Sequence, residues 1–274
     1  MHSLIKAVLL LLILTGAIQF LLSPPEALSS NAEYIKLSEG FIAYDKSGTG
    51  DNKIILIHGS PGSRDDFENL LPSINNATLY ALDMYCFGGS SKHVKDCGID
   101  AAAETINEFM EKKSITKAGI LGYSWGGGVA IEFAYKYPEK TESVIILDGM
   151  GIPEGEITGN YYTERLRYFI SYPLVVYYPG AFFGDEEWRK GFMRSYLDTD
   201  LSPIREHLSK ISVPALLLHG DQDTIVPLWV AEEHARLIPD SRLKLFKGGH
   251  ITLFSDTAEI SSIINSYFSG QNEK

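Results

Sequence analysis

The chain has 274 residues, 45% of them hydrophobic and 22% charged, enough for one large domain with a sizeable core or at most two small ones. Its 24 Lys and Arg against 35 Asp and Glu give a net charge of −11, and no Lys/Arg-rich run is present. That balance excludes nucleic acid as a partner, because a phosphate backbone rewards clustered cations.

The first segment differs in kind from the rest. After the short, slightly basic MHSLIK comes AVLLLLILTGAIQFLL (Ala7–Leu22), which carries no charge, and then the polar SPPEALSSNAEY. A transmembrane helix needs about 20 apolar residues, and the apolar region of a secretory signal is usually ~7–15. The run reaches spanning length only if Leu4 and Ile5 count and Lys6 snorkels; no clear small-x-small cleavage site follows it. Residues 1–28 are therefore expected to be a membrane anchor or a signal with a linker, a buried helix being the third reading. Either leading reading makes the protein membrane-anchored or exported, with the side of the membrane open.

From residue 29 the pattern becomes that of an ordinary domain. IKLSEGFIAYDKSG reads as two short strands about Glu39–Gly40, and KIILIHGSPGS as a buried strand running into a Gly/Pro loop. DDFENLLPSI predicts a short helix and ATLYALD a strand ending on Asp83. Asp100 is expected to cap the helix AAAETINEFMEKK, whose Ala103, Ile106, Phe109 and Met110 fall about one turn apart. KAGILGYS is strand and turn, GGGVAIEFAYKY helix, SVIILDG strand. VPALLLHGD, PLWVAEEHARLI, SRLKLFKG and TAEISSIINSYFSG then alternate strand and helix to the end. This alternation predicts an α/β class with a mostly parallel, doubly wound sheet. Residues 29–151 and 204–274 are expected to form its core. Residues 152–203, which hold a large share of the aromatic residues, read as an inserted, mostly helical cap. Cys86 and Cys97, eleven positions apart, are either a disulfide or two free thiols; their spacing alone does not decide.

In a parallel sheet, function gathers in the loops at the carboxyl ends of the strands. His58, Asp83, Ser124, Asp148, His219 and His250 all stand there. GYSWGG (residues 122–127) places a serine between a strand and a helix with a glycine two positions to either side. Such a turn needs small neighbours and projects the Ser124 hydroxyl from the sheet edge beside the positive end of a helix. A serine hydroxyl needs a base, and His250 in KGGHITLF follows the last strand. The base needs a carboxylate to fix its tautomer. GDQDTIVP offers Asp223, whose Gly-x-x-Asp turn lets it curl back, and Asp221, read as a turn former; Asp148 is in reserve.

The order Ser124, Asp223, His250, with HGSPG at residues 58–62, resembles the α/β-hydrolase fold family from about residue 33 to the end. The resemblance implies an oxyanion hole formed by the backbone N–H groups of Ser60 and Trp125, and a packed, non-catalytic His58. In DMYCFGGSS, Cys86 stands where relatives usually have the first glycine, so that loop is expected to be reshaped. His219 resembles the family's ordinary strand-end histidine, and His2, His93, His207 and His234 are expected on the surface without a role. The resemblance implies a serine hydrolase acting through an acyl-enzyme, without metal or cofactor. The expected substrate is a small ester of apolar acyl or aryl type, or a lipid-like ester, with the membrane a partner through the N-terminal segment. Three alternatives stay open: a prolyl-type aminopeptidase using Glu154, Glu156 or Glu164, a carbon–carbon bond hydrolase, and a catalytically silent membrane-tethered binding module. Oligomeric state is unknown from sequence.

Overall fold

The structure, a computed structural model, describes residues 32–155, 159–177 and 186–269. The expected N-terminal anchor or signal and Glu156 lie outside the described residues.

The strands are β1 (Glu33–Lys36), β2 (Phe41–Ser47), β3 (Asn52–Ile57), β4 (Ala77–Leu82), β5 (Ala118–Tyr123), β6 (Thr141–Leu147), β7 (Ala215–Gly220) and β8 (Ser241–Phe246). They form one eight-stranded sheet in the order β1-β2-β4-β3-β5-β6-β7-β8. β2 is antiparallel to both β1 and β4, and every other pairing is parallel. The parallel strands are apolar on both faces because helices cover both. In β3, Ile55 and Ile57 enter one core with Ile106, Phe109, Val129 and Phe133, while Ile54 and Leu56 enter the other with Phe67, Ile260 and Ile264. The first core is covered by α1 (Ile99–Lys112) and α2 (Trp125–Lys136), the second by α7 (Ala258–Phe268). The doubly wound α/β architecture expected from the alternation is the one observed.

Between β6 and β7 the chain leaves the sheet for α3 (Tyr161–Tyr177), α4 (Glu186–Leu197) and α5 (Ile204–Lys210). α3 and α4 pack on each other around Tyr168, Val175, Val176 and Met193, a small core separate from the two sheet cores. α5 instead lies on α2. The chain returns to the sheet through β7, α6 (Leu228–Leu237) and β8.

Several local expectations are corrected. DDFENLLPSI forms two 3-10 turns, Arg64–Phe67 and Leu71–Ser73, because Pro72 cannot donate to a continuing helix. Gly98, not Asp100, is the N-cap of α1; Asp100 sits within its first turn, where its charge suits the helix dipole and meets Lys136 at 2.5 Å. Cys86 and Cys97 are bonded to each other. Cys86 has φ 75°, the backbone a glycine favours, so the turn is kept despite the side chain.

Two histidines are not on the surface. His207 is half-buried, hydrogen-bonded to Glu132 at 2.7 Å and stacked on Tyr135. His234 is buried in α6, and neither ring nitrogen has a hydrogen-bond partner among the described residues. Burial disfavours its charged form and pushes its pKa down from 6.5 to about 3. Unfolded, the ring accepts a proton near 6.5; folded, it refuses one until about 3. Acidification between those values therefore stabilises the unfolded chain. Wild type should lose stability against the apolar variant His234→Met by roughly 1 kcal/mol per pH unit below about 6.5. Urea titrations of both proteins from neutral pH to pH 4.5 check this; parallel stability curves would contradict it.

Candidate active site

The site is assembled where β3, β5, β7 and β8 end. Between β5 and α2 the chain turns on Ser124, at φ 51° and ψ −116°, a conformation that a non-glycine residue rarely adopts. The turn is tight enough that a Cβ on Gly122 would overlap the Gly126 carbonyl, and one on Gly126 would overlap the Ile57 carbonyl. Gly127 is similarly pinned, its missing Cβ falling 2.7 Å from Gly149 Cα. The backbone is held by Ser124 N–H donating to Leu147 O at 3.0 Å, and by Gly127 and Met150 N–H donating to Ser124 O at 2.9 and 3.0 Å.

The side chains form a chain of hydrogen bonds. His250 Nδ1–H donates to Asp223 Oδ2 at 2.7 Å, leaving Nε2 to accept from Ser124 Oγ at 2.9 Å. Ser124 and His250 are buried, 8% and 6% exposed. His250 opens a 3-10 turn (His250–Phe254), and the Tyr123 hydroxyl donates to its carbonyl at 2.8 Å, fixing it from the strand that leads into Ser124.

Two carboxylates at neighbouring strand ends are treated in opposite ways. Burial raises the Asp223 pKa, but the hydrogen bond and charge of His250, with the amides of Ile225 and Val226 at 2.7 and 2.9 Å, outweigh it and hold the carboxyl below its ordinary value. Asp148, after β6, accepts one amide, Gly220 N–H at 2.8 Å; burial, reinforced by the negative charge of Asp223, pushes it well above the ordinary range. Asp223 is thus the carboxylate partner of His250, while Asp148, behind it, is pushed in the opposite direction. Asp221 accepts from Gly248 N–H at 3.0 Å and shapes the turn between the β7 and β8 loops.

Asp148, His219 and Asp223 offer ligand atoms within 4.8 Å of one another. Both Asp223 oxygens are engaged and His219 Nε2 donates to Val226 O at 3.0 Å, while Asp148 Oδ2 and His219 Nδ1 have no hydrogen-bond partner among the described residues.

The loop after β3 closes the other side. Gly59 packs on the elbow; a Cβ there would fall 3.3 Å from Ser124 Cβ. Among the described residues, neither the Ser60 N–H nor the Trp125 N–H has an acceptor, although both belong to the turns flanking Ser124. Two unspent donors beside a serine hydroxyl are of the kind that can receive a developing negative oxygen. His58 is buried: Nδ1–H donates to Gly59 O at 2.6 Å, Nε2 accepts from Met84 N–H at 3.1 Å, and burial lowers its pKa. Beneath the loop, buried Arg64 is paired with Asp83 and, at 3.1 Å, with Asp45. Asp83 also accepts the Arg64 and Gly89 amides at 2.7 and 2.6 Å, tying the loops after β3 and β4 together.

Sequence reading missed the contacts from α4. Tyr196 donates its hydroxyl to Ser60 O at 3.2 Å, and Ser195 Oγ lies 2.7 Å from Ser60 Oγ. No motif marks either residue. Of the acids considered for binding an amine, Glu164 is buried and paired with Arg167, and Glu154 pairs with Arg205 at 3.3 Å.

Comparison with known proteins agrees with this fold. The profile of the alpha/beta hydrolase fold family matches residues 52–174. Human serine hydrolase BPHL is 29% identical over 223 residues, covering 75% of each chain. Lipase 3 of Moraxella sp. (strain TA144) is 24% identical over 226 residues, covering 73% of this chain and 72% of its own. The crystal structure of a hydrolase from Pseudomonas aeruginosa PA01 superposes with a TM-score of 0.72 at 18% identity, covering 88% of this chain and 99% of that one.

The elbow tolerates no added atom at its glycines. Gly122→Ala should destabilise the protein by about 3 kcal/mol, because the new Cβ meets backbone that cannot step aside. Denaturant midpoints measure this; a loss within 0.5 kcal/mol, roughly the effect of an ordinary surface substitution, would contradict the packing described.

Proposed function

We propose, from the premise that this chain belongs to the α/β-hydrolase fold family and is a hydrolase, that it is a serine esterase acting on apolar acyl or aryl esters through an acyl-enzyme. The observation that carries the reading is the hydrogen-bonded series Ser124 Oγ, His250 Nε2, His250 Nδ1, Asp223 Oδ2, with the hydroxyl on a strained turn.

In this reading Ser124 Oγ attacks the ester carbonyl carbon as His250 Nε2 takes its proton. The Ser60 and Trp125 N–H groups hold the tetrahedral oxyanion. Asp223 stabilises the imidazolium, and its low pKa keeps it anionic for that purpose. The carbonyl then re-forms, the bond to the alcohol oxygen breaks, and His250 returns the proton to the departing alcohol. A water molecule, deprotonated by His250, attacks the acyl-serine; the acid leaves and Ser124 recovers its proton. The likeness to a lipase and to a serine hydrolase supports a hydrolase that cleaves esters. The pairing of Glu164 with Arg167 argues against that carboxylate as an amine-binding group.

Nitrophenyl esters from acetate to palmitate provide the test. Ser124→Ala should lower kcat by at least about 10⁴-fold, and Asp223→Asn by about 10⁴-fold. Asp148→Asn should leave most of the activity, since an amide oxygen can still accept from Gly220. An equal collapse in Asp148→Asn would transfer the carboxylate role to Asp148. Wild type as slow as Ser124→Ala on every ester would overturn the esterase reading.

A further inference from the structure

α3 is amphipathic in the inverted sense. Its charged residues Glu164 and Arg167 are paired with each other and shielded, and Arg165 donates to Thr199 O at 3.2 Å. The outward face carries Tyr162, Leu166, Phe169, Ile170, Leu174 and Tyr177, with Tyr162 78%, Phe169 71% and Ile170 64% exposed. At 100° per residue these side chains occupy an arc of about 140°, and the helix is about 25 Å long. No Asp, Glu, Lys or Arg falls in that arc. A water-facing helix normally arranges itself the other way round, so a patch of this kind marks a surface that is covered in use.

What covers it follows from where the remaining apolar chain joins. The described part begins at residue 32, and Glu33 pairs with Tyr44, which pairs with Leu82, the last residue of β4. Glu33 therefore stands level with the carboxyl end of β4, the end of the sheet that carries the candidate active site. Nine residues, Ser23–Asn31, separate this point from the uncharged run Ala7–Leu22. Fully extended they span about 30 Å, so Glu33 lies within about that distance of the end of the run. The other large exposed apolar side chains agree. Ile225, Trp229, Ile251 and Phe254 lie in or beside the loops after β7 and β8, and Tyr34, Phe41 and Leu245 at the same end of the sheet. The opposite end presents Asn52, Asn75, Asn76, Asn265 and Ser266.

We propose that the carboxyl end of the sheet docks on the surface of a lipid bilayer through the exposed face of α3, which lies in the plane of the interface with its apolar side chains among the acyl chains. Interfacial helices insert this way, to a depth of about 5–10 Å. The proposed contact is made by apolar side chains, and a net charge of −11 favours a zwitterionic surface over an anionic one. The docking is independent of whether Ser124 reacts; if it does, its site opens toward the lipid.

Nitroxide labels at Leu166→Cys and Ile170→Cys, with Ser262→Cys on exposed α7 as control, test this in the full chain added to phosphatidylcholine vesicles. All three positions are solvent-facing, so the fold should tolerate them. The expected result is that vesicles abolish collisions of the 166 and 170 labels with a water-soluble nickel complex and raise collisions with oxygen, while the 262 label is unchanged. Labels at 166 and 170 that stay as open to nickel as 262 would overturn the proposal. Shielding from both reagents would also overturn it, since that is the signature of a protein occupant, either a second copy or the chain's own N-terminal segment.

Discussion

The structure depends on one backbone constraint: the chain must reverse from β5 into α2 within a single residue. Ser124 takes a left-handed conformation to do so, at a cost on the order of 1–3 kcal/mol. Three backbone hydrogen bonds from β6, α2 and the loop beyond β6 hold it there. The consequences reach outward. Glycine is required at 122, 126 and 127 because β3, the β6 loop and α2 all press against the turn. The same reversal leaves the Trp125 amide unspent, and the hydroxyl is aimed at the loops of β7 and β8.

Around that turn the site is organised by unequal treatment of similar groups. Asp148 and Asp223 stand on adjacent strand ends, yet one is driven toward its neutral form and the other toward its anion. The difference is hydrogen bonding: Asp223 receives two amides and an imidazole, Asp148 a single amide. Pairs of titratable groups pushed apart in this way are how a protein assigns roles to chemically identical side chains. His58, His219 and His250 differ likewise. The first two are buried with their pKa values lowered and bond to backbone groups, whereas His250 faces a carboxylate and a hydroxyl. Buried Arg64, paired with Asp83 and Asp45, and Asp83, which accepts the Arg64 and Gly89 amides, tie the Ser60 loop down from below.

Much of this could be read from residues because its causes are local. Glycines two before and two after a serine, between an apolar strand and a helix, report backbone crowding, and the crowding is there. The Gly-x-x-Asp turn brought Asp223 to His250 for the reason its spacing suggests, since the Ile225 and Val226 amides fold over the carboxylate. What was not legible depends on tertiary packing. Nothing in PLWVAEEHARLI marks His234 as buried, because its charged neighbours on α6 point outward. DDFENLLPSI has helical composition, but Pro72 and the pull of Arg64 toward Asp83 break it into 3-10 turns. The contacts of Tyr196 and Ser195 with Ser60 join residues 135 or more positions apart, and neither belongs to a periodic pattern.

The aromatic content of the inserted segment likewise has two destinations that composition could not separate. Tyr168 and Tyr196 stack inside the small cap core, while Phe169 and Tyr177 face outward. Whatever the outer face touches, the central chemical claim concerns Ser124. The direct measurement is mass spectrometry of the protein quenched in acid during turnover of nitrophenyl butyrate, followed by peptide mapping. The account predicts a mass increase equal to one butyryl group, located on the peptide containing Ser124. Turnover at the same rate with Ser124 unmodified, or with the acyl group on another residue, would contradict it.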